Sequence, residues 1–148
     1  MEIINEMDVK LPSYSINESF ARSLISAFIC PLDPTIEELT DIKTAVSEAV
    51  TNCIVHAYSN SIGIIYIKAK LYKNGLISIK IRDKGCGMDD VNKAMEPLYT
   101  TSNSGERAGL GFAVMQSFMD KIKVTSKVDH GTTVIMHKRI IRRFSNNG

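Results

Sequence analysis

A tight hairpin near the middle of the chain constrains the fold more than any other feature. Asn74 and Gly75, a pair typical of a type I′ turn, separate two segments rich in β-branched and aromatic residues, 62–72 and 76–82. In the second segment isoleucines alternate with polar residues, which indicates a strand with one buried face. The chain is therefore predicted to contain an antiparallel sheet whose apolar face must be covered.

The rest of the chain supplies helices that can cover that face. Further strands are predicted over residues 3–11, 122–128 and 132–140. Helices are predicted after the capping-box pattern SINE at residues 15–18, from Asp33 or Thr35 through about Ala57, over 89–95 and over 109–119. Residues 97–108 are predicted to form a loop. This order predicts an α+β fold, with a mixed, mostly antiparallel sheet and helices on one face, in a single domain over residues 1–148.

Composition and charge argue against several classes of protein. A net charge of +2 argues against a dedicated nucleic-acid binder, which carries a stronger basic excess. Three cysteines without a CxxC pair argue against the common zinc spacings and against a disulfide framework, and they fit a reducing cytoplasm. No secretion signal is recognisable, and no apolar run approaches the roughly 20 residues of a membrane-spanning helix.

The second predicted helix ends with the stretch EAVTNCIVHA, residues 48–57. Glu48, Asn52 and His56 recur every four residues and so form one polar stripe beside an apolar one. An exposed polar face is one explanation. The alternative is that Glu48 and Asn52 face a pocket, where an amide oxygen can bind Mg²⁺ and a carboxylate can accept a proton from a nucleophile.

A second candidate motif, DKGCGM at residues 83–88, follows the predicted hairpin directly. Asp83 is placed at the end of a half-buried strand, and Gly85 and Gly87 allow positive φ and the close approach of a flat ligand. Met88 offers a pliable apolar surface for a ring. An ordinary Asx-type turn is the alternative to a slot for a base carrying an exocyclic amine.

Two weaker motifs lie further along the chain. In GERAGLGF, residues 105–112, glycine-rich backbone opens a helix whose free amides can bind phosphate, and Arg107 can pair with a terminal phosphate. In GTT, residues 131–133, Thr132 can hydrogen-bond a base or a neighbouring water. Each motif taken alone also fits a flexible loop or a turn at the start of a strand.

In this order, the motifs resemble those of the GHKL ATP-binding superfamily, over residues 5–140. The resemblance implies the GHKL (Bergerat) α/β sandwich and a site for ATP and Mg²⁺. The chain has no room for the phospho-accepting helical segment of a histidine kinase, and it is short beside gyrase-type, mismatch-repair and chaperone ATPases. It therefore resembles most the anti-sigma factor serine kinases. The segment FARSLISAF, residues 20–28, is also similar to a segment of those kinases.

This resemblance implies an ATP-dependent protein serine kinase with two protein partners. Such kinases bind a sigma factor, here a sporulation sigma factor (sigma F), and phosphorylate a serine of its antagonist. They act as cytoplasmic homodimers, without direct contact to nucleic acid or membrane. A general stress-response anti-sigma kinase of the same fold, and a nucleotide-gated sigma-binding module without kinase activity, are the alternatives.

The resemblance also implies a role for each matching residue. Glu48 is expected to be the catalytic base, Arg107 to contact the γ-phosphate, Asn52 to bind Mg²⁺, and Asp83 to accept from the adenine amine with support from Thr132. The remaining expected ATP-binding residues are Gly85, Gly87, Met88, Thr100, Thr101, Ser102, Gly109, Leu110, Gly111 and Phe112. Residues 97–108 are expected to order around nucleotide as a lid. Arg22, on the first helix, is either a partner contact or a solvated surface residue.

Overall fold

The fold is a five-stranded sheet with helices packed on one face. The computed structural model describes residues 2–96 and 111–141. Its strands are β1 (Ile3–Pro12), β2 (Ile64–Tyr72), β3 (Leu76–Arg82), β4 (Lys121–Lys127) and β5 (Gly131–Arg139). Its α-helices are α1 (Ile16–Ile29), α2 (Ile36–Thr51), α3 (Val91–Ala94) and α4 (Phe112–Phe118). A 3-10 turn (Cys30–Leu32) follows α1, and a π-helical segment (Asn52–Ala57) continues α2.

The sheet has the strand order β1-β2-β3-β5-β4, and each of these four pairings is antiparallel. The predicted hairpin joins β2 to β3: Gly75 has φ +91°, and its amide donates to the Tyr72 carbonyl at 2.9 Å. The predicted α+β fold with helices on one face is therefore confirmed. The order places the end of β3 beside the start of β5, with Arg82 opposite Thr133.

The core lies between the apolar face of the sheet and the inner faces of α1, α2 and α4. Ile77, Ile79 and Ile81 of β3 are fully buried, as the alternation of the sequence predicts. They pack in one cluster with the apolar stripe of α2, which comprises Ile42, Ala45, Val46, Ala49 and Val50. Burying a side chain of the size of isoleucine contributes roughly 1.5–3 kcal/mol. This packing fixes α2 against the sheet, and with it the side of the candidate site that α2 supplies.

The two predicted helix starts have different outcomes. At α2, Thr35 forms a capping box with Glu38: the Glu38 amide donates to Thr35 Oγ1 at 3.0 Å, and the Thr35 amide donates to Glu38 Oε1 at 2.8 Å. At α1, the capping box predicted from SINE is wrong, because Ser15 makes no side-chain cap hydrogen bond. Glu18 instead pairs with Arg22 and accepts from Ser47 of α2, so a tertiary contact has replaced the local one.

The helical stretch predicted to run through about Ala57 reaches that residue but changes form at Asn52. In the π-helical segment the Tyr58 amide donates to the Cys53 carbonyl, five residues back, at 3.0 Å. The Ala57 carbonyl accepts from the amide of Cys86 in the DKGCGM turn, at 3.2 Å. The wide turn therefore ties the end of this helix to the loop after β3.

The helices after β3 are shorter than predicted in the part of the chain that the structure describes. Helix α3 has four residues, with Asp90 capping it by accepting from the Lys93 amide at 2.9 Å. Helix α4 begins at Phe112, after Gly111 in the left-handed conformation. No helix among the described residues is long and apolar enough to span a membrane.

Candidate functional site

A cavity partly open to solvent lies between the π-helical end of α2, the end of β3, the start of β5 and the DKGCGM turn. Its walls are mostly apolar, with a few polar groups converging on it, which is typical of a small-molecule site. The lining residues are Ala49, Asn52, Cys53, His56, Ala57, Ile81, Asp83, Cys86, Gly87, Met88, Phe112, Thr132 and Val134.

Asp83 is the carboxylate of this cavity, and it is nearly inaccessible to solvent, with 5% of its surface exposed. Its Oδ1 accepts from the amides of Gly85, at 2.9 Å, and Thr132, at 3.2 Å. Its Oδ2 lies 3.6 Å from the Cys53 thiol, which donates to it. Burial raises the pKa of Asp83, although the two amides and the thiol oppose the rise. Asp83 is thus a fixed hydrogen-bond acceptor.

The glycines of DKGCGM allow the turn to lie flat against neighbouring backbone. A Cβ at Gly87, which has φ +69°, would come within 2.1 Å of the Lys127 carbonyl oxygen. A Cβ at Gly85 would come within 2.4 Å of the Ala57 carbonyl oxygen. Side chains at these positions would push the turn away from β4 and from the end of the helix. The glycines therefore allow the turn to approach the neighbouring backbone closely enough to form one wall of the cavity.

The hydroxyls of Ser126 and Thr132 lie behind the turn and connect it to β4 and β5. Ser126 of β4 accepts from the Met88 amide at 2.8 Å, donates to the Gly131 carbonyl at 3.1 Å, and lies 2.7 Å from Thr132 Oγ1. Thr132 in turn holds Asp83 through its amide. The sequence motifs contain no signal for Ser126, because its role depends on the register of β4 against β5, where Ser126 lies opposite Thr132.

Glu48 lies one helical turn before Asn52, beside the start of α4. A Cβ at Gly111, which has φ +68°, would come within 2.2 Å of Glu48 Oε1. The next residue, Phe112, is buried and lines the cavity. A partly exposed carboxylate therefore sits at the edge of the cavity, against a glycine that leaves room for it.

The structure brings six of the predicted site residues together on the cavity wall: Asn52, Asp83, Gly87, Met88, Phe112 and Thr132. Gly85 bonds to Asp83 behind them, and Glu48 meets Gly111 beside them. Six further predicted residues lie outside the described ranges: Thr100, Thr101, Ser102, Arg107, Gly109 and Leu110. The predicted lid, residues 97–108, lies outside them too.

Five lining residues of the second helix and the turn were not predicted to be site residues: Ala49, Cys53, His56, Ala57 and Cys86. His56 did belong to the predicted stripe with Glu48 and Asn52. Cys53 adjoins Asn52 in the chain, and burial raises its pKa well above the usual value of a thiol, with the Asp83 carboxylate reinforcing the rise. The thiol is therefore a hydrogen-bond donor at neutral pH.

The cavity side chains suit a metal ion only if water and substrate oxygens supply most of the ligands of that ion. Within residues 2–96 and 111–141, no cluster of three or more His, Cys, Asp or Glu side chains could hold a metal. Mg²⁺ in phosphate-binding sites keeps several waters and substrate oxygens and takes few protein ligands. An amide oxygen on Asn52, at the cavity wall, fits such an ion bound together with a phosphate chain.

Arg22 is absent from the cavity wall and belongs to a separate cluster between α1 and α2. Its Nε lies 2.8 Å from Glu18 Oε2, in an ion pair of helical i,i+4 spacing. Glu18 also accepts from Ser47 of α2. The Arg22 side chain remains 39% exposed, so it is ordered by an ion pair and still accessible from outside.

Comparison with known proteins agrees with this geometry. Residues 18–138 match the model of the histidine kinase-like ATPase domain. An anti-sigma F factor of Caldanaerobacter subterraneus subsp. tengcongensis is 58% identical over 142 residues, which cover 96% of this chain and 99% of the relative. An anti-sigma F factor of Priestia megaterium is 50% identical over 137 residues, covering 92% and 93%.

Solved structures share the fold at lower identity. The RsbU and RsbW domains of Rv1364c from Mycobacterium tuberculosis align with a TM-score of 0.69 and 18% identity, over 93% of this chain and 32% of that one. The catalytic domain of the histidine kinase ThkA aligns with a TM-score of 0.56 and 18% identity, over 95% and 97% of the two chains. At such identities the likeness concerns the fold alone.

Proposed function

The chain belongs to the family of histidine kinase-like ATPase domains, and we propose that it is an anti-sigma factor which binds a sporulation sigma factor, sigma F, and phosphorylates a serine of the antagonist of that factor with Mg-ATP. The observation that carries the proposal is the full-length similarity, at up to 58% identity, to relatives called anti-sigma F factors. The whole chain, residues 1–148, acts as one such domain, in the cytoplasm and as a homodimer.

Adenine binding falls to the Asp83 end of the cavity. The Asp83 carboxylate accepts from the exocyclic amine of the base, since its Oδ1 is already held by two backbone amides and its position is therefore fixed. Thr132 supports it, Gly87 and Met88 form the wall against which the flat ring packs, and Gly85 holds Asp83 from behind. A preformed acceptor in an apolar slot costs little reorganisation when the base binds.

The phosphates are assigned to the other end of the cavity. Asn52 holds Mg²⁺, which supplies neutralisation of phosphate charge when bound. Backbone amides of Gly109, Leu110, Gly111 and Phe112 and the side chain of Arg107 bind the phosphate oxygens. Thr100, Thr101 and Ser102, in the lid over residues 97–108, contact ribose or phosphate.

Glu48 is the catalytic base in this proposal. As the hydroxyl oxygen of the antagonist serine attacks the γ-phosphorus, the bond from that phosphorus to the bridging oxygen of ADP breaks and the serine proton passes to the Glu48 carboxylate. The position beside Gly111 supports this role, since it places the carboxylate at the cavity edge, next to the segment that holds the phosphates. Positioning and charge neutralisation supply most of the rate enhancement in phosphoryl transfer.

Arg22 is the proposed contact for a protein partner. The Glu18–Arg22 ion pair orders the guanidinium while leaving it accessible, so an acidic partner residue can approach it. Exposed apolar side chains nearby in sequence on α1, Ile16 and Phe20, fit a protein contact as well. Arg22→Ala should weaken sigma-factor binding without changing ATP affinity, which calorimetry with each ligand separately would measure.

The decisive experiment is phosphate transfer from γ-labelled Mg-ATP to the antagonist encoded by the same organism, with mass spectrometry locating the label. Label on one antagonist serine is expected. Glu48→Ala should reduce transfer by roughly 10²–10⁴-fold while leaving ATP affinity within a few-fold. Glu37→Ala, which removes an exposed carboxylate from the same helix, is the matched control and should retain transfer.

Other outcomes of that experiment identify the alternatives. ATP binding without transfer to any antagonist indicates the nucleotide-gated binding module. Transfer combined with preference for a stress-response sigma factor indicates the general stress-response kinase. Loss of both transfer and ATP binding in Glu48→Ala would mean that Glu48 has a structural role.

A further inference from the structure

A buried thiol contacts the acceptor atom of the cavity, and no role has yet been assigned to it. Cys53 is 2% exposed, lines the cavity and belongs to the π-helical segment. Its Sγ lies 3.6 Å from Asp83 Oδ2, within the range of a hydrogen bond from sulfur. We propose that Cys53 is a positioning residue: its thiol holds the Asp83 carboxylate in the orientation that accepts from a 6-amino purine, and so contributes to the preference for adenine over guanine nucleotides. This inference rests on the proposed ATP site.

The two oxygens of Asp83 have different environments. Oδ1 is held by the amides of Gly85 and Thr132 and faces backbone. Among the described residues, the donor to Oδ2 is the Cys53 thiol. A carboxylate held at one oxygen can still swing about that anchor, whereas a second donor on the other oxygen fixes its plane. The thiol therefore restricts the motion that matters for a ligand approaching Oδ2.

The surroundings of Cys53 fix the thiol itself. The Cys53 carbonyl accepts from the Tyr58 amide at 3.0 Å, in the wide turn of the π-helical segment. The Tyr58 hydroxyl accepts from the amide of Lys84, next to Asp83, at 2.7 Å and donates to the Ile64 carbonyl at 2.7 Å. The end of the helix therefore bonds to residues 83–84 at two points: the Cys53 thiol bonds to Asp83, and the Tyr58 hydroxyl bonds to the Lys84 amide.

The expected effect is moderate, because a thiol is a weak donor even to a charged acceptor. Cys53→Val keeps an apolar side chain of similar size and removes the donor. It is expected to weaken ATP binding about fivefold and to lower the ratio of ATP to GTP affinity by a similar factor. Cys53→Ser keeps a donor and is expected to recover part of the affinity lost in Cys53→Val.

The test is a double-mutant cycle read by calorimetric titration of the full chain with ATP and with GTP. Cys53→Val is compared in the wild-type background and in Asp83→Asn, and thermal unfolding checks that each variant is folded. If Cys53 acts through Asp83, its substitution changes ATP affinity in the wild type and has little effect in Asp83→Asn. Partial rescue by serine supports the same conclusion.

Three results would overturn the inference. An unchanged ATP-to-GTP ratio in folded Cys53→Val does so directly. An equal loss of ATP affinity in both backgrounds assigns Cys53 to general packing of the cavity. Wild-type protein that does not bind ATP would overturn the proposed ATP site and this inference with it. The first two results leave the ATP site standing, so the two failures are distinguishable.

Discussion

The two ends of the candidate site are built in different ways. At the Asp83 end, contacts come from segments far apart in the chain: the end of β3, the start of β5, strand β4 and the end of the helix. At the Glu48 end, one side chain on α2 meets one glycine before α4. The first end is held by backbone, and the second by a side chain that can rotate. The Asp83 end should therefore resist change, and the Glu48 end should adjust to it.

The largest effect is expected at Gly131, on the backbone-held end. A Cβ there would lie 2.1 Å from the Asp83 carbonyl oxygen, and the residue has φ +100°. Gly131→Ala should lower the free energy of unfolding by about 3 kcal/mol, because backbone must move and the left-handed conformation is strained. Chemical denaturation measures this loss. A loss below 1 kcal/mol would show that this end is softer than the contacts imply.

Asp83→Asn tests what the same end contributes to binding. Replacing a charged acceptor by an amide should weaken ATP binding by about 30-fold, with or without Mg²⁺, because a hydrogen bond to a charged group is worth roughly 2 kcal/mol. Asn52→Ala is the comparison from the opposite end and should weaken binding only when Mg²⁺ is present. Titrations in Mg²⁺ and in chelator separate the two. Equal Mg²⁺ dependence in both variants would contradict the division of the site.

Gly111→Ala should have a smaller effect on stability than Gly131→Ala. The strain of a left-handed alanine costs about 1–2 kcal/mol, but the added Cβ meets Glu48 Oε1, at 2.2 Å, and that carboxylate can swing away. We expect phosphate transfer to fall about tenfold or more, since Glu48, the proposed catalytic base, is displaced, while ATP affinity changes little. If stability falls as far as in Gly131→Ala, the Glu48 end is as rigid as the other.

The smallest expected effect is on pH dependence. Burial raises the pKa of Asp83, so the folded protein binds this proton more tightly than the unfolded chain. The contribution to stability is fully present below the unfolded pKa and is lost as pH rises through the raised folded pKa. The free energy of unfolding, measured from about pH 4 upward, should therefore include a contribution from Asp83 that decreases as the pH rises. The contribution should be missing in Asp83→Asn, and its persistence there would assign it to another group.

The sequence predicted those parts of the molecule that depend on local patterns. Asn74-Gly75 and the alternating isoleucines placed the hairpin, and Thr35 placed the start of α2. Asp83 and the glycines after it could be proposed as site residues because strand, turn and glycine spacing all lie within a few residues.

The remainder depended on contacts between distant segments, which a local pattern cannot contain. The contacts of Ser126 depend on the register of β4 against β5, and the contact of Cys53 with Asp83 depends on the packing of the helix end on that residue. At SINE the local pattern was misleading. Glu18 does not form the predicted capping box but pairs with Arg22 and accepts from Ser47, which lies 29 residues further along the chain.

The π-helical segment, finally, is the one part of the described helix in which a change of chain length and a change of winding can cancel. Its hydrogen bond from Tyr58 to Cys53 spans one residue more than the bond of an α-helix. Deleting a single residue there, with a return to α-helical winding, would leave the downstream chain at nearly the same angle around the helix axis. Deleting a residue within α2 would instead turn everything downstream by about 100°. Tyr58 would then leave the Lys84 amide, and the Ala57 carbonyl would leave Cys86.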